Sequence, residues 1–158
     1  MKRKLLLSLV LLLAVMVAKA QAPDLNEDEI IRKQWGMALK DLTASVLKLN
    51  QLEADHFWPI WDAYREDKKQ IVNAKWSYLA DYAASYDNMT NEKASEITYG
   101  LLRSEKRLSG IKSKYFKKIA NNISAIRAAQ FIQIETSIDN ELRSVLTQNM
   151  PLMPDPKQ

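Results

Sequence analysis

The sequence predicts an all-α fold from three features. Apolar residues recur at helical spacing nearly throughout, the 158 residues contain only three glycines, and three segments open on the same capping pattern. We read four helices joined by short connections, so that sequential neighbours run antiparallel in a long, hairpin-like arrangement with a kinked second helix.

Residues 1–20 read as a secretory signal peptide. Lys2, Arg3 and Lys4 precede an apolar run from Leu5 to Val17 broken only by Ser8, and Ala18 and Ala20 supply the small residues of a cleavage site. The run is shorter than the roughly 20 residues that span a bilayer. Residues 21–149 then form a single helical domain and residues 150–158 a proline-rich tail. With no cysteine in the chain, an exported domain of this size is held by helix packing rather than by disulfides.

The first helix opens at Leu25-Asn26-Glu27-Asp28-Glu29-Ile30. Asn26 is its N-cap, Glu29 completes a capping box, and the acids sit at the positive end of the helix dipole. Its inner stripe is Ile31, Trp35, Ala38, Leu42, Val46 and Leu49. The second helix runs from about Gln51 to Tyr82 behind the Asn50 and Glu53 box, with the stripe Phe57, Ile60/Trp61, Tyr64, Ile71/Val72, Trp76, Leu79 and Ala83. Pro59 within it removes the hydrogen bond to the Asp55 carbonyl, which predicts the kink. The third helix runs from Asn91 to about Ala120 behind Thr90, with the stripe Ile97, Leu101, Leu108, Ile111, Tyr115 and Ile119. Gly100 and Gly110 weaken or bend it, at about 1 kcal/mol each relative to alanine. The fourth follows the Ser124 cap and shows Phe131, Ile134, Ile138, Leu142 and Val145/Leu146. Pro151, Pro154 and Pro156 end helical structure.

The three helix starts share one recipe. LNQLEADHF (49–57), MTNEKASEI (89–97) and ISAIRAAQF (123–131) each run apolar, capping residue, three variable positions, alanine, two variable positions, apolar. Such a pattern is either a good cap used three times or shared ancestry. On these residues the chain resembles the Spy/CpxP-like periplasmic proteins with L-T-x-x-Q motifs. Leu49-Asn50-Gln51-Leu52-Glu53 and Met89-Thr90-Asn91-Glu92-Lys93 occupy the places of the two motifs, although no copy carries Leu, Thr and Gln together. The stretches AxxFWPIWDAYR and FIQIETSIDNEL are similar to those of uncharacterised Gram-negative members. The resemblance implies a periplasmic four-helix, curved subunit that dimerises into a cradle. It also implies ATP-independent chaperone activity, modulation of envelope-stress signalling, or, in relatives linked to metal resistance, metal sensing and regulation of extracytoplasmic sigma factors.

Charge and chemistry narrow the choice. The leader holds four of the 23 basic residues and none of the 19 acidic ones, so the remainder is formally neutral and a nucleic-acid-binding domain is not expected. Residues 24–67 carry ten acids and five bases, whereas residues 101–127 carry eight bases and one acid. That asymmetry steers an acidic partner, pairs two protomers, or is simply a solvated face balanced elsewhere. One histidine and no cysteine leave no His/Cys metal site, and no glycine-rich phosphate loop is present, so no cofactor or metal is expected. His56 beside Glu53 and Asp55 lacks an identifiable nucleophile or oxyanion donor, which argues against an enzyme. Asn88-Met89-Thr90 and Asn122-Ile123-Ser124 match a glycosylation pattern only because helix caps use the same residues.

The expected function is therefore that of an exported, chaperone-like homodimer holding partly folded envelope proteins. The alternative is a sensor that docks one membrane partner such as a histidine kinase or anti-sigma factor. Candidate client- or partner-binding residues are Arg103, Arg107, Lys112, Lys114, Lys117 and Lys118, with Trp58. The latter lies about 100° off the second helix's stripe and either packs beside the Pro59 bend or stands on an open face as a binding anchor. Asn50, Glu53, Phe57, Pro59, Trp61, Thr90, Ser124 and Phe131 form the structural motif, with aromatic bulk clasped against the repeat around Phe131.

Overall fold

The computed structural model describes residues 27–155; the expected signal peptide and the expected Asn26 cap lie outside them. Among the described residues the fold is all-helical, with α1 (Glu27–Trp35), α2 (Leu39–Leu47), α3 (Gln51–Ser85), α4 (Asn91–Asn122) and α5 (Ala125–Asn149). A short 3₁₀ turn, Tyr86–Asn88, connects α3 to α4. No helix of the described residues is long and apolar enough to cross a membrane.

Among the described residues there are five α-helices rather than the four expected, because the first predicted helix is two. Gly36 adopts φ +69°, a left-handed conformation that glycine reaches without steric cost, and its amide donates to the Arg32 carbonyl at 2.8 Å. The chain corners there and restarts at Leu39. A second left-handed residue, Lys48 at φ 47°, ends α2 with its amide on the Ala44 carbonyl. The stripe changes accordingly: Ile31, Leu39, Thr43 and Leu47 are buried, whereas Val46, expected inside, is 55 % exposed.

The three predicted caps form as expected. The Asn50 side chain accepts from the Glu53 amide at 2.9 Å while Glu53 accepts from the Asn50 amide at 3.0 Å, the reciprocal capping box. Thr90 and Ser124 accept from the amides of Lys93 and Arg127, each at 3.2 Å. The recipe shared by these starts also has one spatial outcome. The apolar residue that closes each copy, Phe57, Ile97 or Phe131, has no exposed surface, and the one that precedes each cap, Leu49, Met89 or Ile123, is half-buried. Each entry therefore folds back on its first turns and drives one large side chain inward.

Helices α3 and α4 form a long antiparallel hairpin, and α5 returns along α4. At about 1.5 Å per residue the 35 residues of α3 span roughly 50 Å. The helix passes through Pro59 without interruption, and the proline is exposed. Across from α4, α3 and α5 meet through side chains: Phe57 and Tyr64 set their rings edge-on to Phe131, with centroids 5.9 and 5.0 Å away, and Tyr115 joins from α4 at 5.3 Å from Tyr64. Helices α1 and α2 fold against each other and lie on α5, so that Ile31, Leu39 and Leu47 complete the same core. Toward the other end Ile71, Tyr82, Ile97 and Leu108 continue the interior, while Ala83, expected on the stripe, is exposed. Gly100 has a specific use there. A Cβ at this position would lie 2.4 Å from the Tyr78 ring, so the glycine lets that ring rest on the α4 backbone. Residues 150–155 leave α5 without regular structure and are tethered by the Tyr82 and Tyr86 hydroxyls, which donate to the Pro151 and Leu152 carbonyls at 2.8 and 3.1 Å.

Candidate functional site

Five of the six basic candidates share the outer face of α4. At about 100° per residue, Arg103, Lys106, Arg107, Lys114, Lys117 and Lys118 fall within a sector of about 120°, and all six are exposed. Tyr99, 66 % exposed, lies within the same sector, and Leu102, 58 % exposed, lies about 40° beyond it. Two of the lysines also have local roles. Lys114 donates to Asp67 at 2.7 Å, where the Tyr115 hydroxyl also donates at 2.9 Å, and Lys118 stands 5.0 Å over the Tyr115 ring. The Lys114 and Tyr115 bonds hold the Asp67 carboxyl below its ordinary range, and burial pushes the Tyr115 hydroxyl up.

Lys112 stands apart from this face. It points about 180° away and forms an ion pair with Asp139 on α5. It belongs to an interior network not anticipated from the sequence. The Lys68 ammonium, on a residue 1 % exposed, donates to Glu135 at 2.9 Å and to Asp139 at 3.1 Å; the Tyr64 hydroxyl donates to the same Glu135 oxygen at 2.6 Å. Burial pushes the Asp139 carboxyl up, but the charges of Lys68 and Lys112 outweigh it and hold the group low. The second oxygen of Glu135 is buried without a hydrogen-bond partner, as is the indole nitrogen of Trp61. The signal was present in the sequence as two stripe positions filled by charges. Lys68 is spaced four residues after Tyr64 and three before Ile71, and Glu135 four after Phe131 and three before Ile138.

The remaining candidates are structural. Glu53, besides its cap, receives two bonds of 2.9 Å from the Arg127 guanidinium, whose third donor reaches the Leu47 carbonyl at 2.9 Å. One arginine thus ties the end of α2 to the starts of α3 and α5, with the planar bidentate geometry that lysine cannot supply. The Arg127 bond, with the Asn50 amide, keeps the Glu53 carboxyl below its usual range. Trp58 is half-buried, edge-on to Phe57 at 5.1 Å and to Trp61 at 5.7 Å, and Lys40 of α2 sits 5.0 Å from its ring centroid. It packs on the aromatic clasp. His56 is exposed at the α3 start, and among the described residues no group of three or more His, Cys, Asp or Glu side chains is placed to hold a metal ion. Compared with models of protein families, with curated proteins and with solved structures, the chain gives no match.

Proposed function

We infer that the protein is an exported, ATP-independent chaperone-like protein that holds partly folded polypeptides, with the outer face of α4 as its client-binding surface. The observation that carries this reading is the six-residue basic face beside exposed Tyr99 and Leu102. Exposed apolar groups interspersed with cations give a partly folded chain weak apolar contacts and electrostatic capture together, and neither requires a nucleotide. A rigid helix, braced on its inner face by α3 and α5, presents that surface without an ordering cost. The secretory leader, the two motif-like caps and the resemblance to Spy/CpxP-like proteins support the periplasm as location and a homodimeric cradle as assembly.

The test is light scattering from a denatured model protein, without ATP, across stoichiometries of the purified protein. Suppression of aggregation is expected, with a loss of at least half of it when Arg103, Arg107, Lys117 and Lys118 are changed together to glutamine. No suppression at excess of a folded protein would overturn the reading in favour of a sensor with one dedicated membrane partner.

A further inference from the structure

Beyond the Lys68 network, the inner faces of α3, α4 and α5 leave a cleft of about 280 Å³. Its apolar wall comes from Val72, Trp76 and Leu79 on α3, Leu108 on α4, and Leu142 and Leu146 on α5. All except Leu108 are only half-buried, so this part of the bundle is incompletely filled, in contrast to the aromatic packing around Phe131. The volume is just below the roughly 300–1,000 Å³ usual for small-molecule pockets, which suits a single slender chain.

The lining also carries a small surplus of positive charge. It holds the cations Lys68, Lys75, Lys112 and Arg143 against the carboxylates Glu105 and Asp139. Their depths differ. Lys68 is deep and committed to Glu135 and Asp139, whereas Lys75, 24 % exposed, and Arg143, 61 % exposed, stand at the mouth and both reach Glu105, at 2.7 and 3.2 Å. An apolar interior with paired cations at its opening matches a molecule with a slender hydrocarbon tail and an anionic head. A peptide strand fits less well, because its successive amides would outnumber the few neutral polar side chains of the lining, Ser109, Thr136 and Asn140, and leave the rest facing the apolar wall. A cationic head would meet the lining's surplus of like charge.

We propose that this cleft binds a free, single-chain anionic amphiphile, a long-chain carboxylate or its chemical equivalent, with the tail among Val72, Trp76, Leu79 and Leu142 and the head at Lys75 and Arg143. The site uses inward faces of the bundle and does not rest on client holding by the outer face of α4. Either activity can fail without the other.

Isothermal titration of the purified protein with dodecanoate below its micelle concentration tests this, with dodecyltrimethylammonium as the chain-matched cation and phosphatidylglycerol vesicles as the membrane source. Saturable one-to-one binding of dodecanoate is expected, about tenfold or more tighter than the cation. Changing Lys75 and Arg143 together to glutamine should narrow that difference, and Val72→Phe should fill the cleft and abolish binding while helical circular dichroism is kept. Should Val72→Phe not fold, the comparison of head charges on the parent protein decides alone. Absence of saturable binding, equal binding of the two amphiphiles, or adsorption to vesicles without binding of dodecanoate would each overturn the proposal.

Discussion

A buried lysine bonded to a buried glutamate is a costly choice at the level of single residues, since desolvation of both charges opposes their attraction. Lys68 and Glu135 are nevertheless placed where the long helices meet, with Tyr64, Asp139 and Lys112 satisfying most of what remains. Removing one partner leaves the other charge buried, so Lys68→Met should destabilise the fold by about 3–5 kcal/mol. Replacing the unit as Tyr64→Phe, Lys68→Met and Glu135→Leu together should cost far less or stabilise. Urea unfolding of the two variants checks this, and equal losses would show that the ions themselves supply the stability. Acid pH probes the same scale. The Glu53, Asp67 and Asp139 carboxyls are held below their ordinary values of 4.5, 3.8 and 3.8. The unfolded chain therefore binds protons first as pH falls. Their stabilisation is fully present above those values and is lost as pH drops through the lower folded ones, so the urea midpoint should hold steady above about pH 5 and fall below about pH 4. Asp139→Asn should flatten that fall.

Helix starts were the most legible elements, because a cap is a local device. Asn50 with Glu53, Thr90 and Ser124 each form the bonds that their spacing specifies, and the ends of α3 and α4 lie within a few residues of expectation. The break at Gly36 was hidden by apolar residues that keep helical spacing on both sides of it. Its trace is a glycine just after Arg32 and Lys33, basic residues in a last turn. The Lys68 network was illegible for a different reason: each charge occupies a stripe position alone, and only packing across three helices pairs residues 67 apart. The same holds for Gly100, which local propensity reads as a weakness and tertiary packing uses as room for Tyr78. Gly110 meets nothing within 4 Å, so Gly110→Ala should raise stability by about 1 kcal/mol. Gly100→Ala should give no such gain in the parent and recover it when Tyr78→Ala is also present. Equal effects of Gly100→Ala in the two backgrounds, measured by denaturant midpoint, would show that the ring is not what reserves the glycine.

For the whole molecule, charge separation and burial act together. The acidic half of the sequence supplies Asp62 and Asp67, which pair with Lys40 and Lys114, and Glu53, which holds Arg127, while the outer sector of α4 carries its cations into solvent. Sequence composition revealed the basic run but not its division, since six residues share one face and Lys112 turns inward to Asp139. We propose that this face holds clients. Photo-cross-linking from single probes measures it most directly, with the probe at Arg107 or Lys117 on the outer face of α4, or at Asn73 or Gln133, exposed on α3 and α5, during suppression of aggregation. Client adducts are expected from positions 107 and 117, with few from 73 and 133; equal yields from all four, or adducts only from 73 and 133, would refute client holding by this face.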